Sequence, residues 1–309
     1  MRVFRRIEEW PGAPDRTAVA VGNFDGLHLG HLKIIRRLMR TARNRGLHDL
    51  ILTFSPHPEY VLGKQPVRLI QTLEQRLSGF RRLGVRSVLV LPFDAGFSRI
   101  SARGFAAGML AGRLKAGEVV VGENFRFGRD RKGDVDFLRR LGERQGFGVT
   151  VVPPVKIDGR TVSSSLVRDR LKTGDLHEAC LLLGRPYEIE GIVIRGQSLG
   201  RTLGFPTANL ETENEILPGG VFITRAVLGR TSYPSLTNIG HCPTFGRRDL
   251  AVECHLIGFQ RELYGRRLRI RFYKKIRDES DFGRPEALRR RIQADVEKAR
   301  AYFGAGLRP

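Results

Sequence analysis

The chain has 309 residues, more than one hydrophobic core usually serves, so its length predicts two domains. Hydrophobic residues make up 41% and charged residues 28%, the balance of ordinary globular modules, and no apolar run approaches the roughly 20 residues that cross a bilayer. The formal charge of +22 favours anionic partners in general, yet its lysines and arginines are dispersed and not interleaved with aromatics, which argues against specific nucleic-acid binding.

The opening MRVFRRIEEW lacks the apolar stretch and small-residue cleavage site of a secretory signal. Cys180, Cys242 and Cys254 are odd in number and show no CxxC spacing, so neither a disulfide framework nor a zinc site is expected. Together these features predict a cytoplasmic protein with free thiols and no membrane attachment. Nothing in the sequence indicates an oligomeric state.

In chain order, 17–21 reads as a buried strand, and Leu32, Ile35, Leu38, Met39 and Ala42 then recur at helical spacing up to a stop near Gly46. A strand is expected at 50–54. Thr72 and Gln75 have capping-box spacing ahead of Leu73, Leu77 and Phe80. Strands at 87–91 and 118–121 flank a helix near 105–114, and 148–152 adds another strand. This alternation predicts a doubly wound α/β domain with a parallel sheet, whose ligands sit beyond the carboxyl ends of strands. Short helices follow at 165–172 and 176–183, and Gly184-Arg185-Pro186 marks the expected boundary, giving domains 1–184 and 185–309. Beyond it, β-like runs at 187–194, 221–228, 250–257 and 267–273 predict an antiparallel barrel or sandwich, closed by a helix at 285–303.

The strand at 17–21 runs directly into GNFDGLHLGH, residues 22–31, which opens the next helix. Gly22 and Gly26 let the backbone turn tightly and approach a ligand, and the helix start offers N–H groups and a positive dipole end to phosphate. His28 and His31 are three apart, so one helical turn sets both imidazoles on one side, where they can stabilise charge developing on an α-phosphate. A histidine pair in a loop is otherwise a cap or a surface feature; here strand, glycines and helix start coincide. The pattern resembles the HxGH signature of nucleotidylyltransferases. The whole decamer closely resembles the adenylyltransferase module of bacterial bifunctional riboflavin kinase/FMN adenylyltransferases (FAD synthetases).

Class I aminoacyl-tRNA synthetases share HxGH but also need a KMSKS-like loop, which is absent. The chain has instead Val162-Ser163-Ser164-Ser165-Leu166-Val167-Arg168. Taken alone, this segment is equally a serine-rich helix cap with a surface arginine. It resembles the family's SSTxxR element, with Ser165 where threonine is usual, and so implies a pyrophosphate cradle from Ser163, Ser164, Ser165 and Arg168. Thr53 to Pro58 resembles the family's TFxPHP, and Gly122 to Asp134 its GxxFRFGxxRxGD. That resemblance implies a nucleotide site including Gly22, Asn23 and Phe24, with Asn124 in the substrate pocket. Phe125 and Phe127 read on their own as packing residues; stacking on a flavin is the sharper alternative.

No GxxxxGK[ST] occurs, so a kinase here needs another design. In Gly200-Arg201-Thr202-Leu203-Gly204-Phe205-Pro206-Thr207-Ala208-Asn209, an extended chain points the Thr207 and Asn209 oxygens to one face, hard ligands suited to Mg2+. By itself the stretch reads as an ordinary turn. It resembles the GRxLGFPTAN of riboflavin kinases, which implies that Gly200, Arg201, Gly204, Thr207 and Asn209 bind Mg-ATP. Further matches are Gly220-Val221-Phe222, Thr237 to Gly240, Pro243 to Gly246, Val252-Glu253-Cys254-His255-Leu256, Leu263-Tyr264-Gly265 and Arg277-Asp278-Glu279, with Phe222 replacing a common tyrosine. The resemblance implies Glu253 as the base that takes the substrate hydroxyl's proton; His255 reads as structural.

The resemblance spans about 19–303. It implies a bifunctional enzyme that phosphorylates riboflavin to FMN and adenylylates FMN to FAD with ATP and Mg2+. The alternatives are one degenerate site, a basic nucleic-acid-binding protein on this fold, or a flavin-binding storage or sensor module.

Overall fold

In a computed structural model of the chain, which describes residues 1–13, 16–63, 67–196, 199–240, 250–280 and 283–304, the first half builds a six-stranded parallel sheet. Its strands are β1 (Arg2–Phe4), β2 (Thr17–Val21), β3 (His48–Phe54), β4 (Ser87–Leu91), β5 (Ala116–Gly122) and β6 (Gly148–Val152). Their order is β1-β4-β3-β2-β5-β6, so the chain winds outward from β2 on one side and resumes with β5 on the other. That reversal makes the carboxyl end of β2 the crevice of the sheet.

Strand alternation divides the apolar residues between two cores. Val19, Val21, Leu50, Leu52, Val119 and Val121 face the helices Gly104–Arg113 and Val135–Gln145. Ala18, Ala20, Ile51, Val88 and Val120 face the helices Leu29–Asn44 and Leu73–Leu83. Burying each such Val, Leu or Ile contributes about 1.5–3 kcal/mol. The capping box is formed as expected: Gln75 N donates to Thr72 Oγ1 at 3.2 Å, and Thr72 N to Gln75 Oε1 at 3.0 Å. The expected helix near 105–114 is present but wound i→i+5, ending with Leu114 N donating to Met109 O. Apolar spacing does not separate that winding from an α-helix.

A small hairpin, β7 (Lys156–Ile157) and β8 (Arg160–Thr161), precedes the helices Ser164–Lys172 and Leu176–Leu183. The chain divides into two compact units, Met1–Ser164 and Ser165–Pro309. The helix Leu176–Leu183 belongs to the second unit because it packs on the barrel strands that follow.

Those strands are β9 (Tyr187–Ile194), β10 (Ala208–Thr212), β11 (Gly220–Leu228), β12 (Thr231–Gly240), β13 (Ala251–Leu256) and β14 (Arg267–Arg277). They close a barrel in the order β10-β13-β12-β11-β14-β9, every pair antiparallel. β10 and β12 lack an apolar alternation in the sequence. β12 instead turns Ser235 and Thr237 inward, where both hydroxyls lie 2.8 Å from Thr224 Oγ1. Gly220 has φ +120, and a β-carbon there would lie 2.8 Å from Arg277 O, so the β11–β14 edge requires glycine. The terminal helix Pro285–Gly304 lays Val296, Ala299 and Phe303 against Ile223 and Leu236. Cys180 and Cys254 are free thiols; Cys242 and the 243–246 segment lie outside the described residues. Among the described residues no helix is long and apolar enough to cross a membrane.

Candidate active sites

The loop after β2 is held in a conformation its own residues do not prefer. Phe24 and Leu27 have φ of 54 and 45, left-handed values that cost non-glycine residues of order 1–3 kcal/mol each. Tertiary contacts impose them. Phe24 is buried edge-on against Phe80 and His31, so it can meet a nucleotide only through its backbone. A β-carbon on Gly79 would lie 2.2 Å from Leu27 Cδ1, which shows how closely the helix Leu73–Leu83 approaches the loop. Asp25, 2% exposed, accepts from Ile70 N and Gln71 N at 3.1–3.2 Å and staples the loop to that segment.

His28 caps the helix Leu29–Asn44, its Nδ1 accepting from His31 N at 3.3 Å, and the two rings stack at 3.7 Å between centroids. The expected pairing of the imidazoles is therefore present. Asn23 Nδ2 lies 3.0 Å from His57 Nε2, which brings the 53–58 element to the same loop. Ser164 Oγ donates to Asp25 O at 2.9 Å, so the serine segment also reaches the decamer, with Ser163 half-buried beside it. Asn124 is exposed just beyond the carboxyl end of β5, the strand beside β2. Phe127 is buried and Phe125 stacks on it at 5.3 Å, the packing role read for them on their own. Ser165 is exposed and Arg168 half-buried on the helix Ser164–Lys172, within the second unit.

Arg76 lies outside every motif of the sequence. It is 5% exposed and donates to Asn23 O at 2.5 Å and to Phe54 O at 3.2 Å, tying the ends of β2 and β3 together. Burial lowers its pKa, and the Asp25 charge opposes the shift. A signal was there: Arg76 shares the stripe of Leu73, Leu77 and Phe80, where an amphipathic helix expects an apolar residue. Along the other side of the decamer's helix, Lys33, Arg36, Arg37 and Arg40 line a groove of about 610 Å³ against the end of β6.

In the barrel, one cross-strand row brings candidate residues side by side. Asn209 on β10 pairs with Glu253 on β13, Glu253 with Asn238 on β12, Asn238 with Val221 on β11, and Val221 with Arg277 on β14. Glu253, Asn238, Val221 and Arg277 line a cavity of about 300 Å³, roofed by Leu288 and Ile292 of the terminal helix. Burial raises the Glu253 pKa, and the Glu279 charge raises it further. His255, two residues on, shares the face; burial lowers its pKa, and its Nδ1 lies 2.8 Å from Pro206 O.

The 200–209 segment brings Gly200 and Thr207 to this cavity, whereas Gly204, at φ 87, is exposed. Gly200 is needed where it stands: a β-carbon would lie 2.4 Å from Phe205 O and 3.2 Å from Thr207 Oγ1. Arg201 falls in the helical turn Leu199–Thr202. Thr207 also lines a second cavity of about 370 Å³, walled by Phe259, Leu263 and Tyr264. Asn209 is buried beneath Gly196 and does not line either cavity.

Residues 11–166 match the FAD synthetase family and residues 183–303 the riboflavin kinase family. A bifunctional riboflavin kinase/FMN adenylyltransferase of Pseudomonas fluorescens is 39% identical over 91% of each chain, and that of Escherichia coli K12 is 35% identical over 98% of each. A crystal structure described as a macrolide-efflux protein from Streptococcus pneumoniae superposes with TM-score 0.87 at 28% identity, covering 96% of this chain and 98% of that one. With both family matches falling in their expected order and relatives alike along nearly the whole length, the chain belongs to the bifunctional riboflavin kinase/FMN adenylyltransferase family.

Proposed function

We propose that residues 1–184 carry adenylyl transfer and residues 185–309 the kinase, each at the site described above. The chain phosphorylates riboflavin to FMN with ATP, and adenylylates FMN to FAD. In the kinase step the riboflavin 5′-hydroxyl attacks the γ-phosphorus, ADP leaves with the bond's electron pair, and Glu253 accepts the hydroxyl proton. A carboxylate whose pKa is raised by burial and by Glu279 is a better base near neutral pH than an exposed one. The observation that carries this reading is that Thr207 lines both cavities, one holding Glu253 and the other walled by Phe259 and Tyr264. Flavin and nucleotide would then meet at Thr207, in line for transfer.

The Thr207 hydroxyl and the Asn209 amide are oxygen donors of the kind Mg2+ accepts alongside phosphate oxygens and water. Among the described residues no cluster of three acidic, His or Cys side chains could hold a metal alone, which suits an ion carried largely by ATP. Thr207, which lines both cavities, would hold the ion, whose charge would offset that of the phosphates, and Asn209 would join it by turning out from beneath Gly196.

In the adenylyl step an FMN phosphate oxygen attacks the α-phosphorus and pyrophosphate leaves. The stacked His28 and His31 stabilise the charge that develops there, with Gly22, Asn23 and the Phe24 backbone around the triphosphate. Ser163, Ser164, Ser165 and Arg168 receive the pyrophosphate, and Asn124 meets the flavin. The Lys33 to Arg40 groove draws anionic substrates towards the site. We place the enzyme in the cytoplasm, where ATP is abundant and the free thiols Cys180 and Cys254 stay reduced.

Chromatography of riboflavin incubated with ATP and magnesium tests the assignment. Glu253→Gln should make no FMN yet convert added FMN to FAD, and His28→Ala should do the reverse. Kinase activity surviving in Glu253→Gln would move the base elsewhere.

A further inference from the structure

The acceptor cavity is lined by three carboxylates, Glu253, Glu279 and Asp295, and on the reading above it comes to hold the phosphate of FMN as well. Four anionic groups around one cavity of about 300 Å³ need a cation among them. Among the described residues lining it, Arg277 is that cation. Its side chain is 14% exposed, and its Nε donates to Asp295 Oδ2 at 2.9 Å. Asp295, on the terminal helix, is 2% exposed; Arg291 and Lys298 approach its other oxygen at 3.7 and 3.9 Å. A side-on bond at Nε fixes the turn of the guanidinium plane, and Arg277 Nη1 donates to Asp278 O at 3.2 Å, which fixes its tilt.

We propose that Asp295 is a positioning residue for the kinase step: it holds the Arg277 guanidinium on the cavity wall, where it meets the phosphoryl group as the riboflavin 5′-oxygen receives it. The inference rests on the Glu253 cavity being the kinase site. It makes the terminal helix part of the reaction, although no residue of that helix falls in a motif of the 200–209 or 252–256 kind. A further consequence is selectivity: the Asp295–Arg277 pair should matter for FMN, which carries the phosphate, and not for riboflavin, which lacks it.

The test uses the full-length chain with Asp295→Asn, which keeps the shape and removes the charge, beside Asp295→Glu, Arg277→Lys and Glu253→Gln. Riboflavin kinase kcat and KM are measured together with the constant for inhibition by FMN competing with riboflavin, which reads FMN at the kinase cavity and not at the adenylyl-transfer site. Protection of the buried Cys254 from iodoacetamide serves as the internal check that the barrel is folded. Losing one well-placed charged hydrogen bond should lower kcat about tenfold or more. FMN binding should weaken several-fold while riboflavin KM stays within about twofold, and Asp295→Glu should recover part of kcat. Equal weakening of riboflavin and FMN means a purely structural role and overturns the inference, as does an unchanged kcat.

If Asp295→Asn fails to fold, Arg277→Lys decides in the same terms, because Asp295 remains in place: selective loss of kcat and FMN affinity supports the proposal, and uniform loss overturns it. Glu253→Gln separates the two claims. Full kinase activity in that variant sinks the reading of the cavity itself, whereas its inactivity beside an unaffected Asp295→Asn sinks only the positioning role.

Discussion

Removing the Asp25 carboxylate should unfold the adenylyl-transfer site while sparing the kinase. In Asp25→Ala the buried N–H groups of Ile70 and Gln71 lose their acceptor, and each orphaned donor costs about 1–3 kcal/mol. The sum, about 2–6 kcal/mol, is a large share of the 5–15 kcal/mol that holds a typical domain together. Asp25→Asn retains Oδ1, which accepts from both N–H groups at 3.1 and 3.2 Å, so its loss should be smaller, chiefly the charge facing Arg76. The assay is urea unfolding followed by tryptophan fluorescence. Trp10 is the chain's one tryptophan and packs in a core of the first unit, so the signal reports that unit. The midpoint should fall in the order wild type, Asp25→Asn, Asp25→Ala, and FAD formation should fall likewise while FMN formation persists. Equal midpoints for the two variants, or an Asp25→Ala midpoint within error of wild type, would refute the staple.

Three further outcomes follow from the titrating groups. Glu279 raises the Glu253 pKa, and as the proposed base Glu253 must be ionised to act, so the kinase rate should rise with pH through that raised value. Glu279→Gln should shift this acid limb to lower pH in riboflavin phosphorylation and leave the profile of FMN adenylylation in place; an unmoved limb would remove Glu279 from the site. The same raised pKa means that Glu253 favours the folded state less as pH climbs from the ordinary carboxylate range through its folded value. Cys254 is fully buried with its thiol pushed up to about 11, so iodoacetamide at pH 8 should leave it unmodified until the barrel is denatured, as peptide mass mapping would show.

Much of both sites follows from local geometry and is legible in residue order. His28 and His31 are one helical turn apart, and once the helix starts at Leu29 their rings must lie on one side. The capping box at Thr72 and the glycine stop after the helix Leu73–Leu83 are settled the same way. Arg76 was readable in principle as a cation on an apolar stripe; Asp25 was not, because nothing near it in the chain announces that Ile70 and Gln71 will turn their N–H groups towards it. β12 has no strand signal in the sequence because its inward Ser235 and Thr237 are hydroxyls that bond to Thr224, a pattern that carries no apolar period.

By itself the sequence determined the alternation of strands and helices in the first half, the strands β9, β11, β13 and β14 of the barrel, and the pairing of His28 with His31, because these depend on residue type and short spacing; the chemistry of the kinase half was legible only through its resemblance to a known family. Tertiary structure decided the row that joins Asn209, Glu253, Asn238, Val221 and Arg277 across five strands. Register is set by how whole strands pair, and a slip of one residue would turn every one of these side chains to the other face. It also decided that Thr207 stands between two cavities, and that Asp295, far along the terminal helix, reaches Arg277. Both arise because closing the barrel and laying the helix across it bring together residues that no local rule connects.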